Sequence, residues 1–118
     1  VLFWELWDSS VIVHRHVQKV GARVSMEAPR HCMYWRDLRV TSALEEFGFL
    51  YADFDGCQYC LVAKFGKAVG HPIHKPWRIA TLRSTLPSYL YNVCSGSHER
   101  HNARCGGANA KECSVTPL

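Results

Sequence analysis

The chain has 118 residues, of which 47% are hydrophobic and 20% are charged. This size and composition suit one domain with a buried core and exclude an intrinsically disordered protein. The net charge of +4 permits contact with a phosphate backbone such as that of DNA, but does not require it. No apolar run approaches the roughly 20 residues that cross a bilayer, so we expect no membrane partner.

The first residues of the chain indicate in which cellular compartment we expect the protein. The stretch 1–7 contains an acid and has no basic flank, so it is not a signal peptide, and we expect an intracellular protein, cytoplasmic or nuclear. The chain also lacks an initiating Met, which suggests an excerpt of a longer protein whose earlier part would have carried any signal. Without a secretion signal, the six cysteines favour metal binding or free thiols over disulfides.

The first element predicted along the chain is an amphipathic helix over 2–20. Apolar residues recur there at helical spacing: Trp4, Trp7, Val11, Val13, Val17 and Val20. Gly21 ends the helix, because glycine tolerates the left-handed conformation common at helix ends. A short strand over 23–26 follows, and Pro29 halts it.

A second helix and a second strand follow. Asp37 is a candidate N-cap for a helix that runs to about Phe47 and ends at Gly48. The aromatic-rich stretch 49–54 predicts the second strand.

The segment 56–76 is rich in Gly and Lys and is interrupted by two prolines. It is either a long loop or a hairpin with a wide tip, and such segments are uncommon unless they bind something. A third strand is expected at 77–82. Ser84 or Thr85 caps a short helix to about Val93, with Pro87 in its first turn. The chain beyond Cys94 is polar and Gly-rich.

The alternation of helices and strands predicts an α/β fold with a partial, mainly parallel sheet and flanking helices. The chain is then a single domain or a fragment of one. Residues 1–93 form the α/β part, and residues 94–118 form an irregular Cys/His-rich tail. Three strands make a narrow sheet, which suggests that neighbouring strands are missing.

The tail carries the strongest local chemistry, since Cys94, His98, His101 and Cys105 fall within twelve residues. Zinc prefers four tetrahedral thiolate and imidazole ligands, and short spacings let one loop surround the ion. Upstream, Cys57 and Cys60 have the spacing of a zinc knuckle, and His71 and His74 are also available.

Two complete zinc sites can be drawn from these residues. One consists of Cys57, Cys94, His98 and His101, and the other of Cys94, His98, His101 and Cys105. We prefer the first, because it ties the tail to the sheet and gives the metal a role in folding. Cys60 and Cys105 are its alternative ligands. The competing interpretations are ordinary loop histidines and buried thiols, or a redox role for Cys57 and Cys60.

Two further features are candidate binding residues. Glu27 follows the first predicted strand, and ligands of open α/β sheets bind beyond the carboxyl ends of strands. Lys75, Trp77 and Arg78 enter the third strand, where basic residues beside an aromatic ring can bind phosphate and stack a base. The alternatives are a solvated carboxylate and a solvated strand edge.

Several of these segments together resemble the second half of the catalytic domain of cytosine-C5 DNA methyltransferases, and more closely divergent methyltransferase-like domains of uncharacterised and mobile-element proteins. Val24-Ser-Met-Glu27-Ala-Pro29 is similar to the family's Glu-Asn-Val segment, with Ala28 in place of Asn. The stretches 53–61 and 75–81 are similar to its Tyr-Gly-Val-Pro-Gln segment and basic strand, with Cys60 where Gly is expected. The resemblance covers roughly 11–82. It implies that Glu27 contacts a target base and that Lys75 and Arg78 contact phosphate.

The family's Gly-rich turn and Pro-Cys nucleophile are both absent from the chain. Covalent attack on a pyrimidine needs that thiolate, so we expect no activity from this chain alone; S-adenosylmethionine would bind only with a missing N-terminal half. Three functions stay open: an inactive methyltransferase-like fragment, a zinc-stabilised, non-enzymatic nucleic-acid-binding module, and a decayed structural remnant of a mobile element.

Overall fold

A computed structural model of the chain describes residues 2–65, 67, 69–96 and 101. Its helices and strands within these residues are α1 (Leu2–Lys19), β1 (Ser25–Pro29), α2 (Leu38–Glu46), β2 (Leu50–Asp55), β3 (Pro76–Thr81) and α3 (Leu86–Leu90). Short 3-10 turns lie at Met33–Arg36 and Gly56–Tyr59. None of the described helices is both long and apolar enough to cross a membrane.

The sheet is antiparallel, with β3 between β1 and β2. Glu27 lies opposite Ile79 in one pair of strands, and Ala52 lies opposite Ile79 in the other. The predicted α/β fold with a mainly parallel sheet is therefore wrong, and the described chain has an α+β fold. The two outer strands do run in the same direction, joined through α2, but β3 separates them. No α-helix is described between β2 and β3 to carry the chain back for a parallel pairing.

The main core lies between one face of this sheet and the helices α1 and α2. Its buried members are Trp7, Ala28, Trp35, Val40, Leu44, Phe47, Phe49 and Ala80. The predicted first helix is confirmed, and its buried positions include Trp7. The stretch 49–54 is confirmed as a strand within one residue at each end.

The predicted boundaries of the second helix are also confirmed. The carboxylate of Asp37 accepts the backbone N–H of Arg39 at 2.9 Å, which satisfies one of the unpaired donors at the start of α2. After the helix, Gly48 has a φ of +76°, in the left-handed region that glycine adopts without steric cost. The Asp37 side chain at the start and Gly48 at the end together limit α2 to Leu38–Glu46.

The segment between β2 and β3 is a hairpin, which is one of the two predicted alternatives. Val62 pairs with Pro72 in an antiparallel bridge. On either side, the N–H of Ala63 donates to the carbonyl of His71, and that of Ile73 donates to Leu61, each at 2.9 Å. Leu61, Ala63 and Ile73 form a small second core. We call residues 61–73 the basic hairpin, because its exposed part carries Lys64 and Lys67.

The third helix is shorter than predicted, since α3 ends at Leu90 instead of near Val93. The chain leaves the helix there because residue 92 pairs with the outer edge of β2. This pairing brings the C-terminal part of the described chain to the end of the sheet.

Candidate metal centre

The pairing of residue 92 with β2 places two cysteines at one end of the sheet. Phe54 and Asn92 form a parallel bridge, in which the N–H of Asp55 donates to the Asn92 carbonyl at 3.0 Å. Because the two segments run in the same direction, Cys57 and Cys94, which come shortly after them in sequence, lie at the same end of the sheet.

Cys57, Cys94 and His101 form a group that can hold a metal ion. Their potential ligand atoms all lie within 4.8 Å of one another, and Cys94 Sγ is 3.5 Å from His101 Nε2. Two ligands of a tetrahedral zinc, at the usual bond lengths to sulfur and nitrogen, are roughly 3.5 Å apart. The three side chains are half-buried, which limits competition from water. The described group therefore has both the donors and the spacing of a metal centre.

Three of the four preferred zinc ligands are thus brought together. His98 and the alternative ligand Cys105 lie outside the described residues. Cys60 is exposed and does not belong to the group, and it occupies the left-handed region with a φ of 62°. Cys57 and Cys94 are both free thiols, so no disulfide competes for their sulfur atoms.

The two thiols are held close to each other in a half-buried setting. Burial raises the pKa of the Cys57 thiol to about 11, and a hydrogen bond with Cys94 adds to this effect. A metal-bound cysteine is a thiolate, so a cation at this site takes the place of the thiol proton. The N–H of Gly96 donates to Cys94 Sγ at 3.4 Å, and Gly96 has a φ of +77°. Donors of this kind orient a sulfur ligand and stabilise its negative charge.

A buried carboxylate lies directly behind the cluster. Asp55 is fully buried and accepts the backbone N–H of Cys94 at 2.7 Å. It also binds His74 Nε2 at 3.2 Å and forms an ion pair with the guanidinium of Arg30. Burial raises the pKa of Asp55, but the Cys94 N–H and the positive charge of Arg30 outweigh this, and the pKa lies below its usual value. A buried charge needs such partners to be tolerated.

His74 connects the basic hairpin to the metal centre. Its ring lies against that of His101, with 4.8 Å between the ring centroids. His74 was among the available ligands predicted from the sequence, whereas Asp55 and Arg30 were not predicted to belong to this site. The only sequence signal for Asp55 is its place at the end of an apolar strand, where a carboxylate is well placed to bind a neighbouring chain segment.

The predicted nucleic-acid-binding residues lie at the start of β3. Trp77 is 7% exposed, and the ammonium group of Lys75 lies 4.0 Å from the centre of its ring. Arg78 makes two hydrogen bonds to the carboxylate of Asp53, at 2.7 and 3.0 Å. These contacts occupy the Arg78 guanidinium and one face of the Trp77 ring. A role of Lys75, Trp77 and Arg78 in nucleic-acid binding stays a prediction.

Glu27 lies in the middle of β1 and not after its end, so the predicted strand boundary is wrong here. The strand continues to Pro29, which is paired with Trp77 of β3. Because β1 is an outer strand, the position of the N–H that Pro29 lacks can face away from the ladder. The Glu27 side chain is exposed, and its charge acts on Lys75. A catalytic role for Glu27 stays a prediction.

No protein-family model, curated protein or solved structure matches the chain. The resemblance to methyltransferases therefore has no support from these comparisons.

The ion pair between Asp53 and Arg78 predicts a specific loss of stability in acid. The hydrogen bonds from Arg78 hold the pKa of Asp53 below its ordinary value. A carboxyl group with a lowered pKa stabilises the fold above its unfolded pKa, near 4, and this stability is lost as pH falls through the folded pKa. We expect Asp53→Asn to cost about 1.5 kcal/mol at pH 7. It should also reduce the fall in stability below pH 4.

Urea unfolding between pH 2 and 7 measures this effect. Glu45→Gln is the matched control, because Glu45 is an exposed acid on α2. Equal acid dependence in wild type and Asp53→Asn would contradict the assignment.

Proposed function

We propose that the chain is a zinc-stabilised, non-enzymatic module that binds nucleic acid. The observation that carries this proposal is the group of Cys57, Cys94 and His101, whose ligand atoms lie within 4.8 Å of one another. Two thiolates and an imidazole favour zinc over magnesium or calcium, which prefer oxygen ligands. The absence of both a Gly-x-Gly turn and a Pro-Cys pair from the sequence argues against methyl transfer by this chain.

The proposed zinc has a structural role. Structural zinc sites have four protein ligands, whereas catalytic sites leave one position for water or substrate. The fourth ligand in this proposal is His98 or Cys105, which belong to the same sequence segment as His101. The ion then connects the start of the 3-10 turn after β2 to the segment that follows α3, and its binding energy contributes to folding.

The zinc proposal predicts metal content that depends on particular cysteines. Purified protein should contain about one zinc per chain. We expect Cys94→Ser to lose most of this metal and to lower the melting temperature, because a serine hydroxyl is a much poorer zinc ligand. Elemental analysis after gel filtration, together with thermal unfolding, measures both effects.

Cys60→Ser and Cys32→Ser are the matched controls, since both remove a thiol outside the group. Both should retain the metal. Unchanged zinc content in Cys94→Ser would overturn the site.

Cobalt substitution distinguishes a structural site from an open one. Tetrahedral cobalt bound by thiolates absorbs in the visible and near-ultraviolet, and its spectrum reports the ligand set. A change of spectrum in either His98→Ala or Cys105→Ser identifies the fourth ligand. If neither variant changes it, and added small anions do, the site has an open position and the structural role is wrong.

The basic hairpin supports nucleic acid as the partner. Lys64 and Lys67 are exposed there, and the aromatic side chain of Phe65 is 51% exposed between them. Lysines beside an exposed ring suit a single strand, because the cations contact phosphates while the ring stacks on a base. The hairpin also leads through His74 to the metal centre, so an ordered metal site would fix the base of this surface.

This surface predicts binding that depends on salt and on the hairpin charges. A fluorescent single-stranded 20-mer should bind with an affinity that falls steeply as salt rises. Lys64→Glu/Lys67→Glu should weaken binding at least tenfold and reduce the magnitude of the salt slope by about 1.4, because two phosphate contacts with a single strand are lost. Fluorescence anisotropy measures both quantities.

Arg23→Glu/Arg83→Glu is a control with the same change of charge. Arg23 and Arg83 are exposed and lie beyond the paired ends Ser25 and Thr81, at the opposite end of the sheet from the hairpin. If both double variants weaken binding equally, the hairpin has no specific role and only net charge matters.

A further inference from the structure

Helix α1 exposes a second apolar surface, roughly 110° around the helix axis from the side that faces the core. Trp7 and His14 face the core and are buried. The exposed surface contains Leu2 (68% exposed), Leu6 (61%), Val13 (58%) and Val20 (63%). At 100° per residue these four positions lie within about 40° of one another, so they form one continuous stripe along the helix. Exposed apolar surface of this kind marks an interaction site.

The spacing along the stripe is that of a coiled-coil seam. Its positions are residues 2, 6, 9, 13, 16 and 20, separated alternately by four and three residues. Ser9 and His16 occupy the two polar positions, and both are exposed. An alternation of four and three lets one helix pack against another along its whole length. Polar residues within such a seam are known to fix register and orientation.

We infer that this stripe packs antiparallel against α1 of a second copy of the chain. The charges beside the stripe indicate that the partner is a second, antiparallel copy. Glu5 and Lys19 lie seven residues before and seven residues after Ile12, and both are exposed. When two copies run in opposite directions about Ile12, Glu5 of each copy meets Lys19 of the other. A parallel arrangement would instead place Glu5 and Lys19 of the two copies on opposite flanks of the seam, where Glu5 would face the uncharged Ser10 and no such ion pair would form.

The same two-fold symmetry gives the exposed side chain of Ile12 a packing partner. This side chain is 68% exposed, and it lies beside its own copy at the two-fold axis. In such a self-complementary interface each contact away from the axis occurs twice. Both ion pairs, about 21 Å apart along the helix, would therefore form together. The charges that flank the stripe are therefore complementary to those of a second, antiparallel copy.

The oligomeric state of the full, zinc-loaded chain tests this inference. Sedimentation equilibrium should give a concentration-dependent mass that approaches twice the 13.4 kDa of one chain. Val13→Glu should abolish the dimer, whereas Asp8→Lys, an exposed charge change away from the stripe, should retain it. Circular dichroism and zinc content check that each variant folds.

A charge exchange tests the antiparallel orientation. Glu5→Lys and Lys19→Glu should each weaken the dimer roughly tenfold, because each replaces two attractions with two repulsions. The double variant Glu5→Lys/Lys19→Glu should restore wild-type affinity. A monomer at every concentration would overturn the inference, and would fit a stripe covered by another protein or by this chain's own C-terminal residues. A dimer that Val13→Glu leaves intact, or that the charge exchange fails to restore, would also overturn it.

Discussion

The carboxylate of Asp55 has no access to solvent, and four parts of the chain meet at it. It ends β2, forms an ion pair with Arg30 beyond β1, binds His74 of the segment before β3, and accepts the N–H of Cys94 from the segment after α3. A buried negative charge is costly unless its oxygens are paired, so each partner lowers the cost of keeping it there. Together with the bridge between Phe54 and Asn92, this carboxylate sets the position of Cys94 and so of the candidate metal centre.

The metal and the carboxylate act on the same segment from two sides. Asp55 holds the backbone of Cys94, while a metal bound by Cys57 and His101 would hold its sulfur. Groups behind the ligands commonly set ligand orientation and metal affinity in this way. Independently of a metal, the attachments of this segment to the sheet include the hydrogen bond from Cys94 to Asp55 and the short bridge at residue 92. A structural metal would add a further attachment to these contacts.

Local sequence signals were sufficient for the first two helices and for naming the three residues of the candidate metal centre. The periodicity of 2–20, the cap at Asp37 and the stop at Gly48 each depend on residues close in sequence, and each was predicted. The order of the strands depends on pairing between distant residues, which alternation of elements does not determine. The segment 56–76 has no helical periodicity, and this was the available sign of an antiparallel return. Arg30 and Asp55 were missed because their partnership spans 25 residues and exists only once the strands are paired.

Hydrogen exchange of the zinc-loaded protein, before and after chelation, tests most directly whether a metal holds the C-terminal segment against the sheet. The amides of Asn92 and Cys94 donate to Asp53 and Asp55, so their exchange reports this attachment. If a metal holds this segment, chelation should speed the exchange of these two amides at least tenfold, with a much smaller effect on the central strand β3. Equal exchange of Asn92 and Cys94 with and without zinc would contradict it.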